Sequence, residues 1–379
     1  MFIAAEDNIW DCLIVGGGLA GGLLLQALRT EQPTLKVLLL ERGHQLGGNH
    51  TWSFHGSDIP QGARWLQPLI SKTWPSYEVL FPKYRRKIES TYCSIKAQDF
   101  HQSLLGHHAD HILLQTPVAE VHRDCVTLSD GRIFRSKKVI DARGWGTSSE
   151  VKRGYQKFVG LDVKLSRPHG LQHVILKDVL VPQADGYRFV YILPWNEKEL
   201  LVEDTYYSNT PNLDVETIQA GILQYISQKG WTVETVIRQE VGCLPLDLYP
   251  SPVMSVNAQE PLRLGASSGI YQPVTGYTFP QTVTCVHALA TSSLDTWDVV
   301  LTDVQKGFKR QARYLRTLNR MMFLAAVPEK RYVILERFYQ LSEGLIERFY
   351  QGRLSLFDKL RILCGKPPVS VWRAVKSLF

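Results

Sequence analysis

The sequence predicts an α/β fold with three parts: an open, mainly parallel sheet, a mainly antiparallel β-sheet inserted into it, and a helical C-terminal region. Three observations predict it. Residues 10–41 run apolar segment, glycine turn, helical segment, apolar segment. Residues 151–250 hold β-rich runs broken by short turns, and from Lys306 onward Lys and Arg alternate with apolar and aromatic residues at helical spacing.

The opening element is the apolar strand WDCLIVG, followed by Gly16-Gly17-Gly18-Leu19-Ala20-Gly21. This fits G-x-G-x-x-G at Gly16, Gly18 and Gly21. Gly16 permits the tight turn, Gly18 lets the backbone approach a pyrophosphate, and Gly21 allows close helix packing. The helix GLLLQALRT follows, and the strand KVLLLE ends on Glu41, placed to accept ribose hydroxyls. With strand, glycines, helix, strand and acid in order, the stretch is a dinucleotide site. Glu41, Arg42, Gly43, Gly47 and Gly48 form an E-R-G-x-x-x-G-G run that resembles the extended fingerprint of glutathione-reductase-like flavoproteins. That selects FAD over NAD.

Two later stretches extend the FAD-binding Rossmann domain. KKVIDARGWG, after a hairpin turn at Asp130-Gly131, closes on Asp141 and Gly144. LRLGASSGIYQPVTGYTFPQTV carries Gly265 and Gly276 and opens a helix near Pro280, where backbone amides can face the flavin end of the cofactor. The expected division is a discontinuous FAD domain at 1–75, 95–150 and 255–325. A β-rich substrate domain is expected at 76–94 and 151–254, and a helical region at 326–379. In the insert, KFVGLDVKL, RFVYILPW and ELLVEDTYYS read as strands, with a turn at 196–199 joining the last two. NLDVETIQAGILQYISQKG reads as a helix with Asn212 or Asp214 as N-cap and Gly230 as its stop. Period two along the strand LLVEDTYYS puts Leu201, Glu203, Thr205 and Tyr207 on one face, and Val202, Asp204 and Tyr206 on the other.

Composition excludes several classes. The six cysteines form no C-x-x-C pair, which argues against a disulfide framework or zinc ribbon and for a reducing cytoplasm. His101, His107, His108 and His111 cluster, but no carboxylate or cysteine set completes a metal site. No G-x-S-x-G elbow signals a hydrolase, and no nucleic-acid module accompanies the net charge of +7. No signal peptide or membrane span is expected. The basic C-terminal segments read either as a solvated helical face or as a surface for anionic lipid. MMFLAAV, residues 321–327, reads as a core helix or as the wall of an apolar tunnel.

Five blocks then carry a family resemblance: GGNHTWSFH (47–55), WPSYEVLFPKYRRKIESTYCSI (74–95), EDT (203–205), PVTGYTFPQTV (273–283) and RFYQGRLSLFDKLRIL (348–363). Nearly end to end, the chain resembles the bacterial FAD-dependent lycopene β-cyclases of carotenoid biosynthesis. The resemblance implies Glu203, Asp204 and Thr205 as the essential acidic motif. It implies lycopene and monocyclic γ-carotene as substrates, and reduced FAD with NAD(P)H as the electron source. It also implies a peripheral place on the cytoplasmic side of a membrane, beside other carotenoid enzymes. Many family members carry a histidine where this chain has Gln272.

The implied reaction protonates C2 of each ψ-end, closes a six-membered ring through a carbocation, and releases the C6 proton without net redox. Such a cation needs a water-free site, opposite charge and aromatic faces, for which Tyr207, Trp195, Tyr277 and Trp52 are candidates that read equally as packing residues. A buried Glu203 stays protonated and can donate; an ionised one stabilises charge or takes the proton back. Read without the resemblance, Glu203 is an ordinary cross-strand or surface acid, and the FAD motifs alone also permit a net-redox hydroxylase or carotenoid oxidoreductase.

Overall fold

The computed structural model describes residues 9–144, 152–250, 260–364 and 371–376; the 145–146 end of the KKVIDARGWG stretch lies outside them. The chain opens with β1 (Trp10–Val15), α1 (Leu19–Glu31) and β2 (Val37–Leu40). Next come β3 (Thr51–His55), β4 (Lys72–Trp74), β5 (Tyr77–Phe81), β6 (Tyr84–Ile88), β7 (Tyr92–Lys96) and α2 (Ala97–His108). After them run β8 (Ile112–Leu113), β9 (Val118–Val121), β10 (Cys125–Leu128) and β11 (Ile133–Asp141). β12 (Arg153–Leu165), β13 (Val174–Asp178), β14 (Tyr187–Pro194) and β15 (Glu199–Ser208) precede α3 (Val215–Gln228), β16 (Val233–Asp247) and β17 (Leu262–Arg263). The helices α4 (Phe279–Ala290), α5 (Trp297–Arg320), α6 (Tyr332–Phe338), α7 (Glu343–Gln351), α8 (Leu356–Leu363) and α9 (Val371–Lys376) come last.

The first sheet has the order β8-β2-β1-β11-β10-β9, with β17 beside β11. β1 runs parallel to both β2 and β11. Its unbroken apolar runs suit that place, because a parallel sheet is covered on both faces. On one face Leu23, Leu24 and Leu28 of α1 share a core with Val283 and Val286 of α4 and Trp297 of α5. On the other, Leu13, Val15, Leu38 and Leu40 pack with Val126 and Leu128. This is the α/β dinucleotide-binding arrangement the glycine run predicts.

The second sheet has the order β16-β12-β15-β14-β13-β5-β6 and is antiparallel except where β13 meets β5. The turn at 196–199 joins β14 and β15, the Asp214 carboxylate caps α3, and Gly230 takes the left-handed conformation after it. Alternation divides β15 as period two predicts. Val202 and Tyr206 pack with Ile218, Ile222 and Tyr225 of α3, whereas Leu201 and Tyr207 pack with Phe323, Leu335, Phe338 and Phe349 of the C-terminal region. A small third sheet, β3-β7-β4, stands with the other two.

Residues 321–325 form a π-helical turn that continues α5. Such a turn disrupts the regular carbonyl pairing of a helix. Arg331, fully buried, donates Nε to the Met322 carbonyl and Nη2 to the Phe323 carbonyl, and Nη1 to the Tyr207 carbonyl. One guanidinium thus ties the π-turn to the end of β15, and Phe323 lies with its ring plane 19° from that of Tyr207.

Candidate active site

The glycine fingerprint builds a cradle at the tip of β1. Gly16 has φ +105°, and a Cβ there would stand 2.8 Å from the Ala142 carbonyl oxygen of the neighbouring strand. A Cβ on Gly21 would stand 2.0 Å from the Gly16 carbonyl oxygen, so only glycine lets α1 start this close to β1. Gly18, by contrast, faces open space at the uncapped start of α1. The Glu41 carboxylate accepts from Gly17 N at 2.6 Å and Gly43 N at 2.7 Å. Arg42 beside it is exposed, and Gly48 and Gly144 both adopt positive φ.

Asp141 ends β11 beside Val15, with its carboxylate held by Arg143 at 2.9–3.2 Å. Gly265 lies against Ala20 of α1, where a Cβ would approach to 2.6 Å, and belongs to the same cradle. Gly276 lies farther along, against Leu244 of β16, where the glycine-rich loop meets the second sheet. Positive-φ glycines, a free helix start and a fixed carboxylate at the end of β2 fit the pyrophosphate and ribose of a dinucleotide such as FAD.

The second sheet presents a row of polar groups. Strand register aligns Glu240, Gly160, Glu203 and Tyr191 across β16, β12, β15 and β14, and directly opposed residues share a face. Gly160 has no side chain, so nothing projects between the two carboxyls. A bulge between Ile175 and Asp178 brings Lys177 of β13 onto this face, with Nζ 3.6 Å from the Phe189 ring centroid.

Thr205 Oγ1 donates to Glu203 Oε1 at 2.7 Å. Glu203 is half-buried. Burial raises its carboxyl to about 8, and the nearby Glu240 carboxylate adds to the rise against the Thr205 bond and Lys177. At neutral pH Glu203 therefore holds its proton and is an acid.

Asp204 does not share this space. It is fully buried on the α3 side, where Arg188 donates from Nε and Nη2 to its oxygens at 2.8–3.1 Å and Tyr206 donates at 3.0 Å. A pocket of about 400 Å³ that includes Tyr206 and Ile218 also opens on that side, away from Glu203. Of the acidic motif, then, the structure brings Glu203 and Thr205 together and turns Asp204 the other way.

The aromatic candidates separate in the same manner. Tyr207 shares the Glu203 face with Tyr187 and Phe189, ring centroids 5.5 and 6.4 Å away. Tyr277 donates to Asp58 Oδ2 at 2.8 Å, Trp195 donates to Asp162 at 2.7 Å, and Trp52 packs edge-on against Phe100 in the nucleotide domain. Gln272 is fully buried: Oε1 accepts from Val274 N and Thr275 N, and Nε2 donates to the Phe349 carbonyl. Its hydrogen bonds shape the loop and brace it on α7. The clustered histidines of α2 and the turn after it are spread over structural bonds, His101 to Leu46 N, His107 to the Ser103 carbonyl, His108 to Gln26 and His111 to the Val37 carbonyl. Among the described residues no group of three metal-ligating side chains occurs.

Sequence reasoning passed over Lys177, Glu240, Tyr191 and Asp58. Asp58 is buried, and burial raises its carboxyl to about 7 against the Tyr277 hydrogen bond. Only Lys177 left a trace in the sequence, as a cation inside the apolar run HVILKDVL.

The family model described as "Lycopene cyclase protein" matches residues 11–376. The chain is 42% identical to the lycopene beta-cyclase of Pseudescherichia vulneris, covering 97% of this chain and 98% of that protein. It is 41% identical to the lycopene beta-cyclase of Pantoea ananas at the same coverage. The flavin-dependent brominase Bmp2 shares the fold, with a TM-score of 0.66 at 13% identity over 91% of this chain and 94% of that one. A glycine cradle on one sheet, an acid row on the other and a sequence match along nearly the whole chain meet in one assignment: this chain belongs to the lycopene cyclase family.

Proposed function

We propose that the chain acts as a lycopene β-cyclase that binds FAD and closes the linear ψ-ends of lycopene to β-rings, giving γ-carotene and then β-carotene, without net redox. One observation carries the reading: in a member of this family, the carboxyl that keeps its proton at neutral pH sits on the aromatic face of the inserted sheet. Thr205 occupies Oε1 of Glu203, so Oε2 carries the acidic proton and delivers it to C2 of the ψ-end. Positive charge then passes from C1 to C5 as the C1–C6 bond forms, and loss of the C6 proton completes the β-ring. Tyr187, Phe189 and Tyr207 offer ring faces to the cation and exclude water that would quench it. Reduced FAD, when bound, supplies negative charge beside the carbocation, with NAD(P)H as the source of its electrons rather than a stoichiometric substrate.

The same proposal includes attachment to a lipid surface. α8 is apolar on the outside: Asp358 is buried against Arg348 at 2.7 Å, while Leu356 and Phe357 are 79% and 74% exposed and Leu360 and Leu363 stand out with them. Trp372 of α9 is 77% exposed, and Lys359, Arg361, Arg373 and Lys376 lie among these residues. Exposed apolar residues interleaved with cations suit an anionic bilayer, the medium in which a hydrocarbon substrate dissolves. No helix among the described residues is long and apolar enough to cross a membrane.

The test is an anaerobic incubation of purified protein, FAD, NAD(P)H and lycopene in liposomes. Cyclic carotenoid in molar excess over oxidised nicotinamide is expected. Oxygenated or desaturated product with stoichiometric nicotinamide oxidation would instead identify a net-redox enzyme.

A further inference from the structure

Lys177 is 6% exposed, in the middle of a sheet, on the face that carries Glu203. A lysine so placed normally has a carboxylate partner. Among the described residues the nearby acids are otherwise engaged. Glu78 is bound by Arg85 and His173, and Asp178 points to the α3 side and is bound by Lys229 and Tyr225. What surrounds Nζ instead is a set of rings, with centroids at 3.6 Å for Phe189, 5.8 Å for Tyr187 and 6.0 Å for Tyr207. The titratable group within electrostatic reach is Glu203, one strand beyond Tyr191 in the same row. On β5, the neighbour paired with Lys177 is the apolar Val79. Burial lowers the amine to about 7, against the pull of Glu203. Glu203 and Lys177 are therefore an acid that keeps its proton facing an amine that readily gives its own up, both pushed from their ordinary states by one apolar wall.

Resting on the lycopene reading above, we propose that Lys177 is the base of the cyclisation: its amine takes the proton from C6 of the new ring after Glu203 has delivered one to C2. The step balances. The Glu203 O–H bond breaks as the C2–H bond forms, the C5=C6 electron pair becomes the C1–C6 bond, and the charge rests on C5. The Lys177 lone pair then forms N–H as C6–H breaks, and that C–H pair becomes the C5=C6 double bond. A carboxylate and an ammonium remain. Between turnovers the ammonium releases a proton to solvent and the carboxylate regains one from it, which restores both groups, so no electron is gained or lost. The cage suits the task because rings hold an ammonium by cation–π attraction without occupying the lone pair of the amine.

Product identity separates a base from a merely structural residue. A C5 cation that finds no base at C6 loses a proton from C4, giving an ε-ring, or from the C5 methyl, giving an exocyclic methylene. In the anaerobic liposome assay, Lys177→Met holoenzyme is expected to turn over about 100-fold more slowly, with its residual rings shifted to these isomers. Lys177→Arg should behave alike, since a guanidinium accepts no proton at this pH. Exclusive β-rings from both variants, at any rate, would overturn the assignment, because their C6 proton would then be leaving to another group. Should neither variant retain FAD, the wild type decides: turnover must fall as pH drops below about 7, and a rate level to pH 5 would overturn the proposal. A wild type that forms no ring in this assay would refute the cyclase reading itself, a different result from any of these.

Discussion

At the residue scale, Glu203 is held protonated by its surroundings, and that has two measurable consequences. Its acid form is the donor, so turnover should decline about tenfold per pH unit above about 8. Glu203→Gln should lower turnover by on the order of 10³-fold while FAD absorbance is retained. Stability moves the other way. The folded-state value lies above the ordinary 4.5, so the folded chain keeps a proton that the unfolded chain releases between pH 4.5 and about 8. Below that window both states are protonated and the Glu203→Gln and wild-type melting temperatures should differ least. The variant's advantage should then grow as pH rises to about 8, reaching on the order of 5 kcal/mol, which paired calorimetric scans read directly. Period two was enough to place Glu203 and Thr205 on one face and Asp204 on the other. Lys177 was hidden, because the bulge in β13 that aims it is a break in that very periodicity.

At the element scale, the start of α1 and the end of β15 are fixed by opposite means. α1 depends on absent side chains, at Gly16 and Gly21, and a strand-turn-helix pattern with glycines at 16, 18 and 21 was readable from residues 10–41 alone. β15 depends on Arg331, which comes 124 residues after Tyr207 and meets it only through the fold. Arg331→Met would leave three carbonyls without this donor. It is expected to cost about 2–4 kcal/mol, read as a lower urea midpoint, and to loosen Phe323 against Tyr207. The π-turn at 321–325 was equally hidden, since MMFLAAV has a composition that suits a regular helix, and only the packing of α5 and α6 around Arg331 shows otherwise. Gln272 illustrates the same limit: resemblance marked the position, but its work of bonding Val274, Thr275 and Phe349 depends on where α7 lies.

At the scale of the molecule, two sheets divide the work. The parallel sheet offers a dinucleotide cradle, and the antiparallel sheet offers an acid row and aromatic wall roofed by the C-terminal helices. The sequence made the basic amphipathic character of the C-terminal region plain, yet left open whether its apolar side faced the protein or the outside. Asp358 decides this, because the acid of α8 turns inward to Arg348 and the leucines turn outward. Replacing Phe357 and Leu360 by Glu should therefore abolish co-flotation with anionic liposomes, while FAD binding and turnover of detergent-dispersed lycopene persist. Undiminished flotation would remove α8 from the membrane contact.

The central claim is that Glu203 starts ring closure with an exchangeable proton. The direct measurement is the reaction in D₂O with FAD and NAD(P)H, with the carotenoids analysed by mass spectrometry and NMR. One deuterium at C2 per ring is expected, two in β-carotene, with ring formation and its deuterium incorporation falling on the order of 10³-fold in Glu203→Gln. Rings formed without deuterium at C2, or at the wild-type rate in Glu203→Gln, would contradict it.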